Sequence, residues 1–127
     1  AKQIEDNACT DISAAVTAGD TSTTTSATVI STAIKVLDGD KIAVIATVPL
    51  VAASATTPTL TIYCNSVALA PTFTPAISTG IIVVTVVGAA SVAADNTAYP
   101  VSIQLTAAGG INTTAKPTAL LIIRHRR

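Results

Sequence analysis

Between Gly80 and Gly88 every residue is branched at Cβ: Ile81-Ile82-Val83-Val84-Thr85-Val86-Val87. Such side chains are stiff about χ1 and pack on a pleated strand better than on a helix. Seven residues at about 3.3 Å each reach about 23 Å, an ordinary strand length and too short to cross a bilayer. Successive side chains alternate, so Ile82, Val84 and Val86 share one face while Ile81, Val83, Thr85 and Val87 share the other. Neither face carries a charge, which predicts cover on both. A sandwich normally leaves one face of each strand wet, so the second cover falls to a neighbouring subunit. The run is therefore expected to be a core strand close to an oligomer contact.

The surrounding chain has the same character. No charged residue occurs from Ile42 through Ala94, a poor solvent-facing surface for a monomer. Half of the 127 residues are hydrophobic but only 2% are aromatic, so the core is built from Ala, Val and Ile, with Tyr63, Phe73 and Tyr99 as its only rings. Ordering the backbone costs roughly 1–2 kcal/mol per residue, and small side chains offset that only modestly. Both arguments predict a homo-oligomer, with a trimer the favoured state. The longest apolar tract, Ile42 to Ala55, is broken by Thr47, Pro49 and Ser54, so no membrane span is expected.

A formal net charge of zero argues against general attraction to nucleic acid. The charges are unevenly placed: Glu5, Asp6, Asp11, Asp20, Asp38 and Asp40 lie in the first third, and Arg124, His125, Arg126 and Arg127 close the chain. A start at Ala1 fits removal of an initiator Met before a small residue, and cleavage of a signal peptide would look the same. Cys9 and Cys64 are expected to be free and buried in a reducing compartment, with a Cys9–Cys64 disulfide as the alternative.

Residues 1–26 divide into a polar arm, with Ile4 as its one apolar anchor, and a weak first strand over Ile12–Ala18. A frayed terminus and a docking arm both fit this composition. Residues 27–127 form the sandwich, in a single domain overall. Its strands are expected at Ala27–Leu37, with an irregularity near Ser31-Thr32, then at Lys41–Val48, Thr59–Cys64, Val67–Leu69, Ile81–Val87, Tyr99–Thr106 and Thr118–Arg124. Asp38-Gly39-Asp40 and Asn65-Ser66 supply tight turns, and Gly19–Thr25, Pro49–Thr57, Ala89–Thr97 and Ala107–Lys116 are expected loops. About eight short strands and no amphipathic helix predict an all-β, antiparallel sandwich of jelly-roll type. A parallel β-helix would need a fixed repeat, and none is present.

The residues that chemistry requires are scarce. His125 is the only histidine and stands among arginines three residues from the end, without an orienting partner. One His and two distant Cys do not make a zinc site. Asp38 and Asp40 lack the further oxygens calcium requires. Gly109-Gly110 has no following Lys to cradle phosphate. No catalytic residue, metal or cofactor is expected. Arg124, His125, Arg126 and Arg127 are instead candidates for contact with an acidic surface of a partner, whereas so few phosphate contacts without aromatic stacking would give only weak nucleic-acid affinity.

The stretch Ala33-Ile34-Lys35-Val36-Leu37-Asp38-Gly39-Asp40-Lys41-Ile42, followed by Pro58-Thr59-Leu60-Thr61-Ile62-Tyr63, resembles a small β-sandwich module recurrent in tailed-phage virion proteins. The closing segment Pro117 to Arg124 before a short charged end is similar too. That resemblance implies a virion structural protein, a capsid decoration protein or the head of a fibre, often trimeric, with the major capsid protein or another virion protein as partner. No coiled-coil stalk is evident, which favours decoration. The alternative is a secreted filament or surface-layer subunit joined by strand exchange. A carbohydrate-binding module would need the aromatic platform this chain lacks.

Overall fold

Ile42, Val44, Ala46, Val48 and Leu50 are each at most 2% exposed, while the residues between them are not buried. That period of two makes Lys41–Ala52 a strand with one face in the core, and the architecture is assembled around it. The computed structural model describes residues 10–17, 19–69 and 72–125, and every regular element among them is a strand. In chain order these are β1 (Thr10–Val16), β2 (Thr21–Thr23), β3 (Ser26–Val36), β4 (Lys41–Ala52), β5 (Thr59–Cys64), β6 (Val67–Ala68), β7 (Ile82–Ser91), β8 (Asn96–Thr106), β9 (Thr113–Ala115) and β10 (Ala119–His125).

Two antiparallel sheets face each other. The first runs β1-β10-β4-β7, and β9 and β2 continue it beside the far end of β4. The second runs β3-β8-β5-β6. From β3 onward the chain crosses to the opposite sheet at nearly every connection, with β5–β6 the hairpin inside one sheet. With β2 and β9 as additions, the other eight strands make the double Greek key of a jelly roll, as the spacing of short strands predicts. Between the sheets Val101, Ile103 and Leu105 of β8 meet Val44, Val48 and Leu50 of β4 in one apolar core.

Several elements differ from the sequence expectation. Pro49 does not end β4. Its carbonyl accepts from Lys116 N–H (2.8 Å), where the β4 partner changes from β10, paired through Thr47, to β9, paired from Leu50. A missing N–H on that side of the strand therefore breaks no ladder bond. The loops expected over Gly19–Thr25 and Ala107–Lys116 contain β2 and β9, which pair with each other across three residues. Neither is periodic enough to recognise alone. The irregularity of β3 lies on either side of Ser31-Thr32 rather than at it, between Thr28 and Ile30 and between Ile34 and Val36. The first bulge turns the consecutive residues Val29 and Ile30 both into the core.

Gly88 does not end β7, which continues to Ser91. A Cβ at Gly88 would lie 3.0 Å from the Cδ1 atoms of both Ile62 and Leu69. The glycine lets β7 close onto the second sheet, while Gly80, at φ +77°, makes the turn that precedes the strand. Asn65 and Ser66 both have positive φ, as a two-residue hairpin turn requires. Gly88→Val is expected to destabilise the fold by about 1–3 kcal/mol through overpacking, read as a lower urea midpoint, with Gly80→Ala lowering stability through backbone strain alone.

Candidate functional site

Strand alternation gives the two sheets outer faces of opposite character. On the second sheet the outward rows are Thr28–Gln104–Thr61 and Ser31–Ser102–Tyr63, hydroxyls and an amide of which Thr61 alone is buried. On the first sheet they are Ile12–Ile123–Ala43–Ala89 and Ala14–Leu121–Ile45–Val87. The next row is Val16–Ala119–Thr47–Thr85, followed by Pro49–Val83. No ionisable side chain lies in these four rows. Thr47 and Thr85 are the only polar side chains in them, and further polar groups stand at the two ends. Lys41 and His125 share a row with Ser91 at one end, and Ser22 bonds Thr114 through hydroxyl oxygens (2.7 Å) at the other.

Six large apolar side chains are more than half exposed among the described residues, and five of them (Ile12, Val16, Ile81, Val83 and Val87) are on or at the edge of this one face. The run Ile81–Val87 thus has one dry face, formed by Ile82, Val84 and Val86 toward the core. Among the described residues nothing covers the opposite face, on which Ile81, Val83 and Val87 are more than half exposed. It is also an edge strand, since β7 pairs only with β4. Ile12 and Val16 on β1 and Leu121 and Ile123 on β10 belong to the same face, although they lie outside the charge-free tract. Their signal was the apolar character of both faces of Leu120–Ile123, the pattern that singles out Ile81–Val87.

The second candidate lies at the open side of the sandwich, where β1 passes β3. A cleft of about 600 Å³ there is lined by Asp11, Ser13, Ile34, Lys35 and Leu37, with Arg124 at its base. Arg124 alternates inward with Leu120 and Ile122 and is only 7% exposed. Its Nη2 donates to Asp11 Oδ2; its Nη1 donates to the Lys35 carbonyl (3.2 Å) and to Asp40 Oδ2 (3.5 Å). Asp40, 1% exposed, also accepts from Leu37 N–H (2.9 Å). One guanidinium therefore ties β10 to β1, to β3 and to the β3–β4 turn. The acidic partner expected on a neighbour is supplied by the same chain, and Arg124 faces the interior. His125, next along the strand, points to the polar end of the outer face. Arg126, Arg127 and Ile4 lie outside the described residues, as does Cys9.

Asp40 is engaged by Arg124 and a backbone N–H, and Asp38 N–H donates to Asp95 Oδ1 (2.8 Å), so the Asp38-Gly39-Asp40 turn is a structural corner. No group of three metal-ligating side chains occurs among the described residues. Cys64 is buried beside Tyr99, and burial pushes its thiol up to about 11, away from the thiolate that nucleophiles and metal ligands need. Burial, with a smaller contribution from Cys64, raises Tyr99 as well.

No family model and no curated protein matches the sequence. Solved structures with the same fold do. A chain from infectious bursal disease virus, Gt strain, superposes with a TM-score of 0.63 at 10% identity, over 94% of this chain and 38% of that one. The VP2 subviral particle of infectious bursal disease virus gives 0.59 at 9% identity, over 93% of this chain and 37% of the other. Dimeric latent PorU from Porphyromonas gingivalis gives 0.55 at 4% identity, over 94% of this chain and 13% of that one. The chain thus spans well under half the length of each of these proteins, and at such identities the likeness is one of fold.

Two measurements check the buried groups. Arg124→Ala removes the buried guanidinium that binds Asp40, Asp11 and the Lys35 carbonyl and is expected to cost about 3 kcal/mol, whereas Asp11→Asn, at the half-exposed end, costs less than about 1 kcal/mol; urea titration separates them. A thiol held protonated by the fold makes stability constant below the unfolded thiol's value near 9 and falling from there to about 11, as the unfolded chain loses its proton first. The fall is of order 1.4 kcal/mol per pH unit, and Cys64→Val is expected to remove its thiol component in pH-dependent unfolding.

Proposed function

We propose that this chain is a non-enzymatic structural subunit of a virion, of the tailed-phage kind, that decorates the capsid exterior or forms the head of a fibre as a homotrimer. The observation that carries this reading is the jelly roll extending over nearly the whole chain, shared with chains of a virus particle and of a subviral particle. It is supported by the apolar outer face of the β1-β10-β4-β7 sheet, which gives a subunit something to assemble with, and by a set of polar residues committed to holding the fold. Arg124 braces the sandwich from within. The role left for the basic end is therefore that of Arg126 and Arg127, which follow His125 in the sequence and offer cations to an acidic surface such as that of a major capsid protein.

One feature favours a second reading, an extracellular filament or surface-layer subunit. β7 is a long edge strand with no charge, proline or bulge to block pairing, the kind of edge to which a donated strand adds.

Co-sedimentation with purified capsids separates the two. The intact chain is expected to pellet with capsids. Arg126→Ser/Arg127→Ser is expected to weaken that binding about tenfold and to reduce its salt dependence, with an unchanged urea midpoint. Fibrous growth from β7, abolished by Val83→Pro, would instead favour the filament.

A further inference from the structure

We propose that the outer face of the β1-β10-β4-β7 sheet is where copies of this chain meet, three of them turning that face toward a common axis. This deepens the reading of the chain as an assembling subunit and rests on it; it names the surface and the partner, a second and third copy of the same chain.

The size of the face is the first argument. Strands about 4.8 Å apart make a four-stranded sheet about 19 Å wide, and the span from Ala43 to Val51 along β4 is about 27 Å. That is about 500 Å² of projected surface per copy, in the upper part of the roughly 300–600 Å² that the largest apolar patch of a monomer reaches, a size at which such patches are often functional. Three such faces bury about 1,500 Å² in the trimer as a whole, shared among its three pairwise contacts. The layout is also that of an interface: an apolar centre of Leu121, Ile45 and Val87, with polar groups at the Lys41 and Ser22 ends.

The identity of the occupant follows from charge. A face without ionisable groups in its four central rows offers no complement to a charged partner, and meets an identical face without like-charge repulsion. The hydroxyl-rich face of the second sheet has no comparable patch.

The three-fold arrangement follows from the edges. Three sheets about 19 Å wide, set as the sides of a triangular prism, each lie about 5.5 Å from the axis, close to half the roughly 10 Å spacing of packed sheets. Side chains from the three faces then fill the centre. At each corner β1 of one copy comes beside β7 of the next, antiparallel and with the same rows level, so Ala14 approaches Val87 of its neighbour. Both apolar edge strands are covered in this way, whereas two faces stacked as a pair leave both open.

The test uses the full chain. Sedimentation equilibrium at micromolar concentration is expected to give three times the chain mass. Ile12→Glu/Val87→Glu, at positions more than half exposed within one copy, is expected to give the mass of a single chain with an unchanged far-ultraviolet spectrum. Ser31→Glu/Ser102→Glu on the opposite face is expected to leave the trimer intact. A mixture of Ala14→Cys and Val87→Cys chains is expected to give an oxidised cross-link between different copies, a readout that holds even if the charged variant folds poorly. A monomeric wild-type chain, a stable dimer, or a trimer unaffected by the Glu pair would overturn the proposal. So would a monomer that floats with neutral phosphatidylcholine vesicles, which would assign the face to lipid. Capsid binding that persists while the face stays open would sink this inference and leave the virion reading standing.

Discussion

A two-sheet sandwich can dry only one side of each strand, and the central strand β4 is apolar on both. Its inward residues Ile42, Val44, Val48 and Leu50 hold the core, and β10, β9 and β7 all hydrogen-bond to it. Its outward residues Ala43, Ile45 and Pro49 continue as apolar rows into β7, and the first two of them into β10 and β1. The fold buries the first set completely and the second only in part. The remaining surface follows from that inequality, since one outer face is built for water and the other for apolar contact.

The polar groups complement this division. A core of small aliphatic side chains has little to fix how the open side of the sandwich closes, and there Arg124 binds Asp11, Asp40 and the Lys35 carbonyl together. A buried pair of this kind adds little net stability over an apolar substitute, but losing one member is costly. It commits the chain's end to its beginning, so that β1 becomes a fixed edge of the large sheet and its outward Ile12, Ala14 and Val16 extend the apolar face by one strand. Gly88 acts similarly at the other edge, letting β7 close onto Ile62 and Leu69.

Much of this was legible in the residues. The strands β3, β4, β5, β8 and β10, the Asn65-Ser66 hairpin and the jelly-roll class follow from alternation and turn chemistry, which are local. The excess of apolar surface was legible too, in Ile81–Val87 and the charge-free tract around it. What was not legible were β2 and β9, three residues each, which exist only because each supplies the other's hydrogen bonds. Nor was the inward turn of Arg124, since the parity of β10 relative to the core depends on its register with β4 and β1.

Period-two patterning and β-branching act residue by residue, and they suffice to specify an antiparallel jelly-roll sandwich with more apolar strand surface than one sandwich can cover. Where that surplus lies was settled only when the strands paired. Register set Ile12, Leu121, Ile45 and Val87 side by side on a single face, and put Arg124 inside with Asp11 and Asp40. A one-residue slip in any of those pairings would have exchanged the two faces, and no local pattern could have chosen between them.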